Sequence, residues 1–130
     1  MSFAEDQIES LTEELATYHQ DLHEIIDGVS NWDSLSEPEQ DEVRGLYKTL
    51  KQRLAKRAKQ VQSVRWENAA SHLERNVLGR AIPDADSQLV AKSNSNPIKS
   101  NWVFDLLSAQ ADIVFYLQQL RDACSTSQGS

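Results

Sequence analysis

Two histidines, His19 and His23, stand four residues apart in the stretch YHQDLHE, so a helix would carry both imidazoles on one face. This is the spacing with which a helix supplies two ligands to a zinc or di-metal site. The sequence fixes no third ligand, because Asp21 lies off that face and Glu24 or His72 would have to be brought there by the fold. We therefore interpret both histidines as residues beside an apolar seam, and we expect neither a metal nor another cofactor.

The stretch KTLKQRLAKRAKQVQSVRW, residues 48–66, suggests a different chemistry, because it carries seven basic residues and no acidic one. On a helical wheel Lys48, Lys56 and Lys59 point away from the apolar side, and Trp66 lies near two of them. Lysines that neutralise phosphates beside a ring that stacks on a base are a common way to hold single-stranded nucleic acid. The net charge of −7 opposes the approach of a polyanion. Nucleic-acid binding through these four residues is therefore an alternative function.

Arg65 and His72 are separated by six residues, and this spacing resembles the Arg-x(4–6)-His pattern of HEPN ribonucleases, whose all-helical domains are similar in size. The resemblance covers these two residues, and Trp66 stands where that family often has a polar residue. It implies metal-independent RNA cleavage by Arg65 and His72 across a dimer interface, which is the weaker alternative. Glu39 and Glu42 form one Glu-x-x-Glu element of the kind found in helical nucleotide pyrophosphohydrolases, but no second acidic element follows at a workable distance.

Other signatures of catalysis are missing from the sequence, which has no phosphate-binding Gly-rich loop, no nucleophile elbow and no Cys/His cluster. The single cysteine, Cys124, cannot form an internal disulfide, and we interpret it as a small apolar seam residue. The N-terminal residues MSFAEDQIES have no basic region followed by an apolar run, and no apolar stretch is long enough to span a membrane. These features predict a cytoplasmic protein that is not an enzyme.

The elements that position these residues are helices. Four Gly and three Pro in 130 residues leave little turn chemistry, so few and long elements are expected. In the first segment, apolar residues recur at spacings of three and four, in the manner of a coiled-coil seam. They are Ile8, Leu11, Leu15, Tyr18, Leu22, Ile25 and Val29. The first helix is predicted over residues 4–28, with Gly28 as a left-handed stop.

The second helix is predicted to start at Ser36-Glu37-Pro38-Glu39, which has the sequence of a capping box. Its apolar residues lie on one arc as far as Val64. A stripe that begins at Trp66 is displaced around the helix, so the helix either breaks near residue 65 or turns a different face to its neighbours. Residues 81–100 contain two prolines and a Ser/Asn cluster and are predicted to be a long connection, with room for a short helical turn.

The last helix is predicted over residues 101–124, and it is apolar on more than one face. Val103, Leu106 and Ile113 belong to a seam, whereas Phe104 and Phe115 lie opposite that seam. Further apolar side chains lie between the two faces: Trp102, Leu107, Val114 and Tyr116. A single stripe against a single neighbour would leave large side chains in water. This helix is therefore either central in the bundle or part of a subunit interface.

Charge is distributed unevenly along the chain. Residues 1–43 contain thirteen Asp or Glu and no Lys or Arg, whereas residues 44–80 contain ten Lys or Arg. We expect the first two helices to be antiparallel neighbours, with Arg53 and Arg57 on the flank of the second facing carboxylates of the first. The remaining acidic surface of the first helix could imitate the charge of nucleic acid towards a basic protein.

The sequence thus predicts an all-α antiparallel bundle of three long helices, with one domain over residues 1–124 and a disordered tail over residues 125–130. The expected function is a non-enzymatic protein-interaction or assembly module: an adaptor, a subunit, or an acidic inhibitor of a basic protein surface. Its partner would be another protein or a second copy, in a homodimer or heterocomplex. The predicted partner-binding residues are Phe104, Phe115, Trp102, Tyr116, Glu9, Glu13, Asp21 and Asp27.

Overall fold

A computed structural model describes the backbone of residues 3–62, 77 and 79–129, and the side chains of residues 8–62, 77 and 79–122. The described chain is all-helical, and no strand occurs within those ranges. Its helices are α1 (Phe3–Ser30), α2 (Glu37–Gln62), α3 (Ala81–Gln88) and α4 (Trp102–Gly129), with one turn of 3-10 helix at Trp32–Ser34 between α1 and α2. None of the described helices is both long and apolar enough to cross a membrane.

Helix α1 buries the whole of its predicted seam. The seven buried residues are Ile8, Leu11, Leu15, Tyr18, Leu22, Ile25 and Val29. The predicted role of Gly28 is wrong, because α1 continues past it to Ser30 and no glycine among the described residues has a positive φ. A Cβ at Gly28 would lie 2.6 Å from Cγ2 of Val43. Gly28 therefore permits the close approach of α1 and α2.

Helix α2 begins with the predicted capping box. The Ser36 amide donates to Glu39 Oε1 at 2.9 Å, and the Glu39 amide is 3.4 Å from Ser36 Oγ. Hydrogen bonds from the Ser36 backbone and side chain lower the pKa of the Glu39 carboxyl. These contacts satisfy amides of the first turn that have no partner within the helix. Six apolar residues of the predicted arc are buried, namely Val43, Tyr47, Leu50, Leu54, Ala58 and Val61, whereas Leu46 is exposed.

The prediction of three long helices corresponds to α1, α2 and α4, and a fourth, short helix, α3, occupies the start of the predicted connection. It packs between α2 and α4, while α1 packs against the same two helices from the other side, so the four described helices surround one apolar core. Its Ala81, Ile82 and Ala85 are buried. Polar contacts hold α3 antiparallel to α4, because the Tyr116 hydroxyl donates to Asp84 and Gln88 Nε2 donates to Asp112 at 2.9 Å.

Helix α4 buries a broader arc than the predicted seam, because α1 and α3 contact it from different sides. Leu106 and Ile113 are buried as predicted, and Trp102, Ala109 and Tyr116 are also buried. The backbone of α4 is helical to Gly129, and the disordered tail over residues 125–130 stays a prediction. The predicted break near residue 65 lies outside the described residues.

Candidate functional site

Most of the basic residues of α2 face the chain's own backbone and carboxylates. The Arg44 guanidinium lies between two indoles, 5.2 Å from the ring centre of Trp32 and 5.9 Å from that of Trp102. Its Nη1 donates to the carbonyl oxygens of Ser93 at 3.2 Å and Ser95 at 2.6 Å. Arg44 therefore fastens the segment between α3 and α4 to the surface of α2.

The same segment is held from both sides at Ala91. The Tyr47 hydroxyl and Lys51 Nζ both donate to the Ala91 carbonyl oxygen, at 2.8 and 2.7 Å. From α4, Asp105 Oδ2 accepts hydrogen bonds from the amides of Val90 at 3.2 Å and Ala91 at 2.8 Å. Burial and the charge of Asp105 raise the pKa of the Tyr47 hydroxyl, so it remains a hydrogen-bond donor. A connection with little regular structure is thereby fixed in place.

On the opposite flank of α2, two arginines form the predicted ion pairs with α1. Arg53 Nη1 lies 3.0 Å from Asp21 Oδ2, and Arg57 binds Glu14 through two hydrogen bonds of 2.7 and 2.9 Å. Burial alone raises the pKa of Glu14, but hydrogen bonds from Arg57 and Tyr18, with the charges of both arginines, bring it below its ordinary value. These pairs confirm that the basic flank of α2 faces the acidic helix.

The three outward lysines of α2, Lys48, Lys56 and Lys59, are exposed, and the described part of the chain offers them no ion pair. Trp66, the fourth residue of the nucleic-acid alternative, lies outside the described residues. So do Arg65 and His72, the pair that resembles the HEPN pattern. Both alternatives therefore stay untested by the structure.

Helix α4 presents an apolar surface to solvent, which we call the outer face of α4. Between Trp102 and Leu117 every exposed residue of the helix belongs to it. The exposed fractions are 66% for Phe104, 49% for Leu107, 50% for Val114 and 56% for Phe115, and Ala111 is the fifth member. No described element of the chain covers this face.

Acidic side chains on this length of α4 are directed away from the outer face. Asp105 accepts hydrogen bonds from the segment after α3, and Asp112 accepts one from Gln88 of α3. Lone apolar residues are exposed elsewhere, namely Leu46, Val90 and Ile98, but single exposed apolar residues are common on protein surfaces. The outer face of α4 differs from them because its apolar residues are contiguous and no charged residue is exposed among them.

Two of the residues predicted to bind a partner lie inside the bundle. Trp102 is buried, its ring stacks on Tyr47 with centroids 4.2 Å apart, and its Nε1 donates to Ser95 Oγ at 2.9 Å. Tyr116 is also buried, and its hydroxyl donates to Asp84. The exposed placement of Trp102 and Tyr116 is thus corrected, and the physical reason is that α3 and the segment after it cover this side of α4.

The predicted acidic surface of α1 is partly exposed and partly bonded within the chain. Glu9, Glu13 and Asp27 are exposed, whereas Asp21 is partly buried and paired with Arg53. Asp21 therefore stabilises the contact between α1 and α2. Binding of a basic protein by the other three carboxylates stays a prediction.

His19 and His23 are not gathered with other ligands of the described chain. His23 is exposed, and His19 lines a groove of about 290 Å³ between α1 and α4 with Ala16, Val114 and Arg121. No group of three or more His, Cys, Asp or Glu side chains in the described ranges could hold a metal ion. The side chain of Cys124 lies outside those ranges.

Sequence reasoning identified Phe104 and Phe115 but did not assign Leu107 and Val114 to the binding set. The signal was present, because Phe104, Leu107, Ala111 and Val114 follow one another at spacings of three, four and three. That is the spacing of a second coiled-coil seam on the same helix.

No protein-family model, curated protein or solved structure shows significant similarity to this chain.

Proposed function

We propose that this protein is a non-enzymatic interaction module that binds a protein partner through the outer face of α4. The observation that carries the proposal is the composition of that face, in which all five exposed residues between Trp102 and Leu117 are apolar. A surface helix of a self-contained bundle normally turns polar residues outward. An apolar outer face is the pattern of a helix with neighbours on both sides.

The size of the exposed surface supports a protein partner. With about 200 Å² for a fully exposed aromatic side chain, the four large residues of the outer face leave about 400 Å² of apolar surface in water. Contiguous patches of a few hundred square ångströms on monomers often mark interaction sites. At about 25 cal/mol per Å², covering this patch would contribute about 10 kcal/mol before the costs of association are subtracted.

The titratable groups of the described chain support a role without catalysis. Burial and the bond to Glu14 raise the pKa of Tyr18, and the bond to Glu14 raises that of Arg57. Burial raises the pKa of Glu14, but its bonds to Arg57 and Tyr18 bring it below its ordinary value. Burial and the bond to Asp84 raise the pKa of Tyr116 between α3 and α4. These groups stabilise helix contacts and do not converge on one cavity, as the acid, base and nucleophile of an active site would.

Affinity capture from the source organism tests the proposed function when it compares matched variants. The wild-type chain is compared with Phe115→Asp on α4 and with Gln52→Asp on α2, since both changes add one carboxylate at an exposed position. We expect the co-purifying proteins, including untagged copies of this chain, to be lost from Phe115→Asp and retained by Gln52→Asp. The same proteins in equal amounts with all three baits would contradict the proposal.

Nucleic-acid binding remains the second candidate, because Lys48, Lys56 and Lys59 are exposed along α2. Its test is a single-stranded RNA or DNA titration at physiological salt. Non-specific charge attraction gives dissociation constants of about 10⁻⁴ to 10⁻⁶ M. An affinity stronger than about 1 μM that is abolished by reversing the three lysines to Glu would favour this function over the interaction module.

A further inference from the structure

We infer that the partner of the outer face of α4 is a second copy of this chain, with the two α4 helices antiparallel about a twofold axis at Ala111. The inference rests on the proposed function and names the occupant of the same surface. Its evidence is the order of residues along the face, the charge of the whole chain and the exposed area.

The order of residues makes the outer face self-complementary. A twofold axis at Ala111 brings each residue opposite the one equally distant on the other side, so Leu107 of one chain faces Phe115 of the second copy. Phe104 likewise faces Gln118, and Val114 faces Ser108. The smallest side chain lies on the axis, where two helices approach most closely, and the largest apolar side chains lie one and two turns away. Such alternation of large and small residues lets two identical helices interdigitate.

The charge of the chain favours this face for self-association. Two copies with a net charge of −7 each repel one another as whole chains, and the exposed side of α1 carries carboxylates, whereas α2 exposes Lys48, Lys56 and Lys59 beside carboxylates of its own. Between Trp102 and Leu117 the outer face exposes no charged residue, because Asp105 and Asp112 are bonded within their own chain. Two such faces therefore meet without like charges in contact, and salt screens the repulsion between the rest of the two chains.

The exposed area is enough for a reversible dimer. A standard specific interface buries about 800 Å² on each partner, with an apolar core and a polar rim. The outer face supplies about 400 Å² of apolar core. Ser108, Gln118 and Arg121 lie beside it and can form the rim. An interface of this size is at the lower end of specific complexes, so we expect a dissociation constant on the order of 1–100 μM.

Sedimentation velocity of the full chain from about 1 to 500 μM tests the inference. The wild type should pass from one chain to two over this range, and the dimer should become tighter, not weaker, when NaCl is raised from 0.05 to 0.5 M. Phe115→Asp should weaken dimerisation at least tenfold, whereas Gln52→Asp should leave it unchanged. Circular dichroism of each variant confirms that helicity is retained.

A complementary pair of variants tests the position of the axis. Because Ala111 faces the second copy's Ala111, Ala111→Glu alone and Ala111→Lys alone should each be monomeric, since each places two like charges together. An equimolar mixture should recover a dimer with one chain of each kind. A wild type that stays monomeric at 500 μM, or a mixture that gives no heterodimer, would overturn the inference. If host proteins are still captured through Phe115 in that case, the proposed function survives and its partner is a different protein.

Discussion

Helices α2 and α4 are nearly equal in length, at 26 and 28 residues, but their polar and apolar groups are arranged in opposite ways. Four basic residues of α2 contact the chain's own backbone or carboxylates, and Leu46 is the only large apolar residue exposed within the described residues of that helix. In α4 the carboxylates of the first four turns bond to the chain, and large apolar residues face solvent. Within the basic run of residues 48–66, Lys51, Arg53 and Arg57 thus stabilise the fold, whereas the apolar face of α4 is the candidate for binding.

The largest expected effect separates the two faces of α4. Trp102 is buried against Tyr47 and Arg44, so Trp102→Ala should lower the free energy of unfolding by about 3–5 kcal/mol. Phe104, two residues later, is exposed, and Phe104→Ala should change the free energy of unfolding by less than about 0.5 kcal/mol. Urea denaturation at low protein concentration measures both. A loss above about 2 kcal/mol for Phe104→Ala would mean that the outer face is covered within one chain.

A smaller effect separates the flank of α2 that carries Arg53 and Arg57 from the outward side of the same helix. Reversing Arg53 and Arg57 to Glu places like charges beside Asp21 and Glu14, and we expect a loss of about 2 kcal/mol in unfolding free energy at low salt. The loss should shrink at 1 M salt, where the Debye length is about 3 Å. Reversing Lys56 and Lys59 to Glu is the matched control.

The control should leave the unfolding free energy within about 0.5 kcal/mol of the wild type, because neither lysine is paired in the described chain. Equal losses of unfolding free energy in the two double variants would show that the ion pairs of Arg53 and Arg57 with α1 do not contribute more to stability than the outward lysines. In that case the basic run would act through its total charge.

The pH dependence of stability tests one of these ion pairs, Arg57–Glu14, by itself. The folded pKa of Glu14 lies below its ordinary value of 4.5, so between these values the folded state binds fewer protons than the unfolded state. The stability from the Arg57–Glu14 pair is therefore complete above pH 4.5 and is lost as the pH falls through the folded pKa. Arg57→Gln should cost about 1 kcal/mol at pH 7 and progressively less below pH 4.5.

Chemical denaturation of wild type and Arg57→Gln between pH 3 and pH 7 measures this dependence. Glu14→Gln is the control, because it removes the titrating group. Combining it with Arg57→Gln should therefore cause no further change in the free energy of unfolding at low pH. A difference between wild type and Arg57→Gln that stays constant across this range would contradict the assigned pair.

The smallest expected effect concerns the histidines of α1. Replacing His19 and His23 together with Gln should change the unfolding free energy by less than about 0.5 kcal/mol, because both are at least partly exposed and neither has a cluster of further ligands in the described chain. Thermal unfolding with and without a chelator is the measurement. Loss of stability on chelation that zinc restores would show that a metal site exists.

Local signals in the sequence predicted much of the fold. The seam of α1, the capping box of Ser36 and Glu39, and the pairing of Arg53 and Arg57 with α1 follow from periodicity and charge over short distances. For α3 the sequence predicts only room for a short helical turn, because a helix of eight residues depends on tertiary contacts for its stability.

The position of α3 also explains the differences at the candidate site. Trp102 and Tyr116 are predicted to bind a partner, but α3 and the segment after it bury them within the chain. Phe104 and Phe115 were assigned correctly to the exposed side because they lie opposite both neighbours of α4. The role of Gly28 depends on the approach of Val43, a contact that no local pattern encodes.

The most direct test of the account compares solvent access at α4 and α2 in the protein as it exists in its source organism. Hydroxyl-radical footprinting would report oxidation of Phe104 and Phe115 on the outer face, with Leu46 of α2 as the internal reference. We predict that both phenylalanines are protected severalfold in cells relative to dilute purified protein, while Leu46 is equally oxidised in both. Equal oxidation of the phenylalanines in cells and in dilute solution would contradict the claim that the outer face of α4 binds a protein.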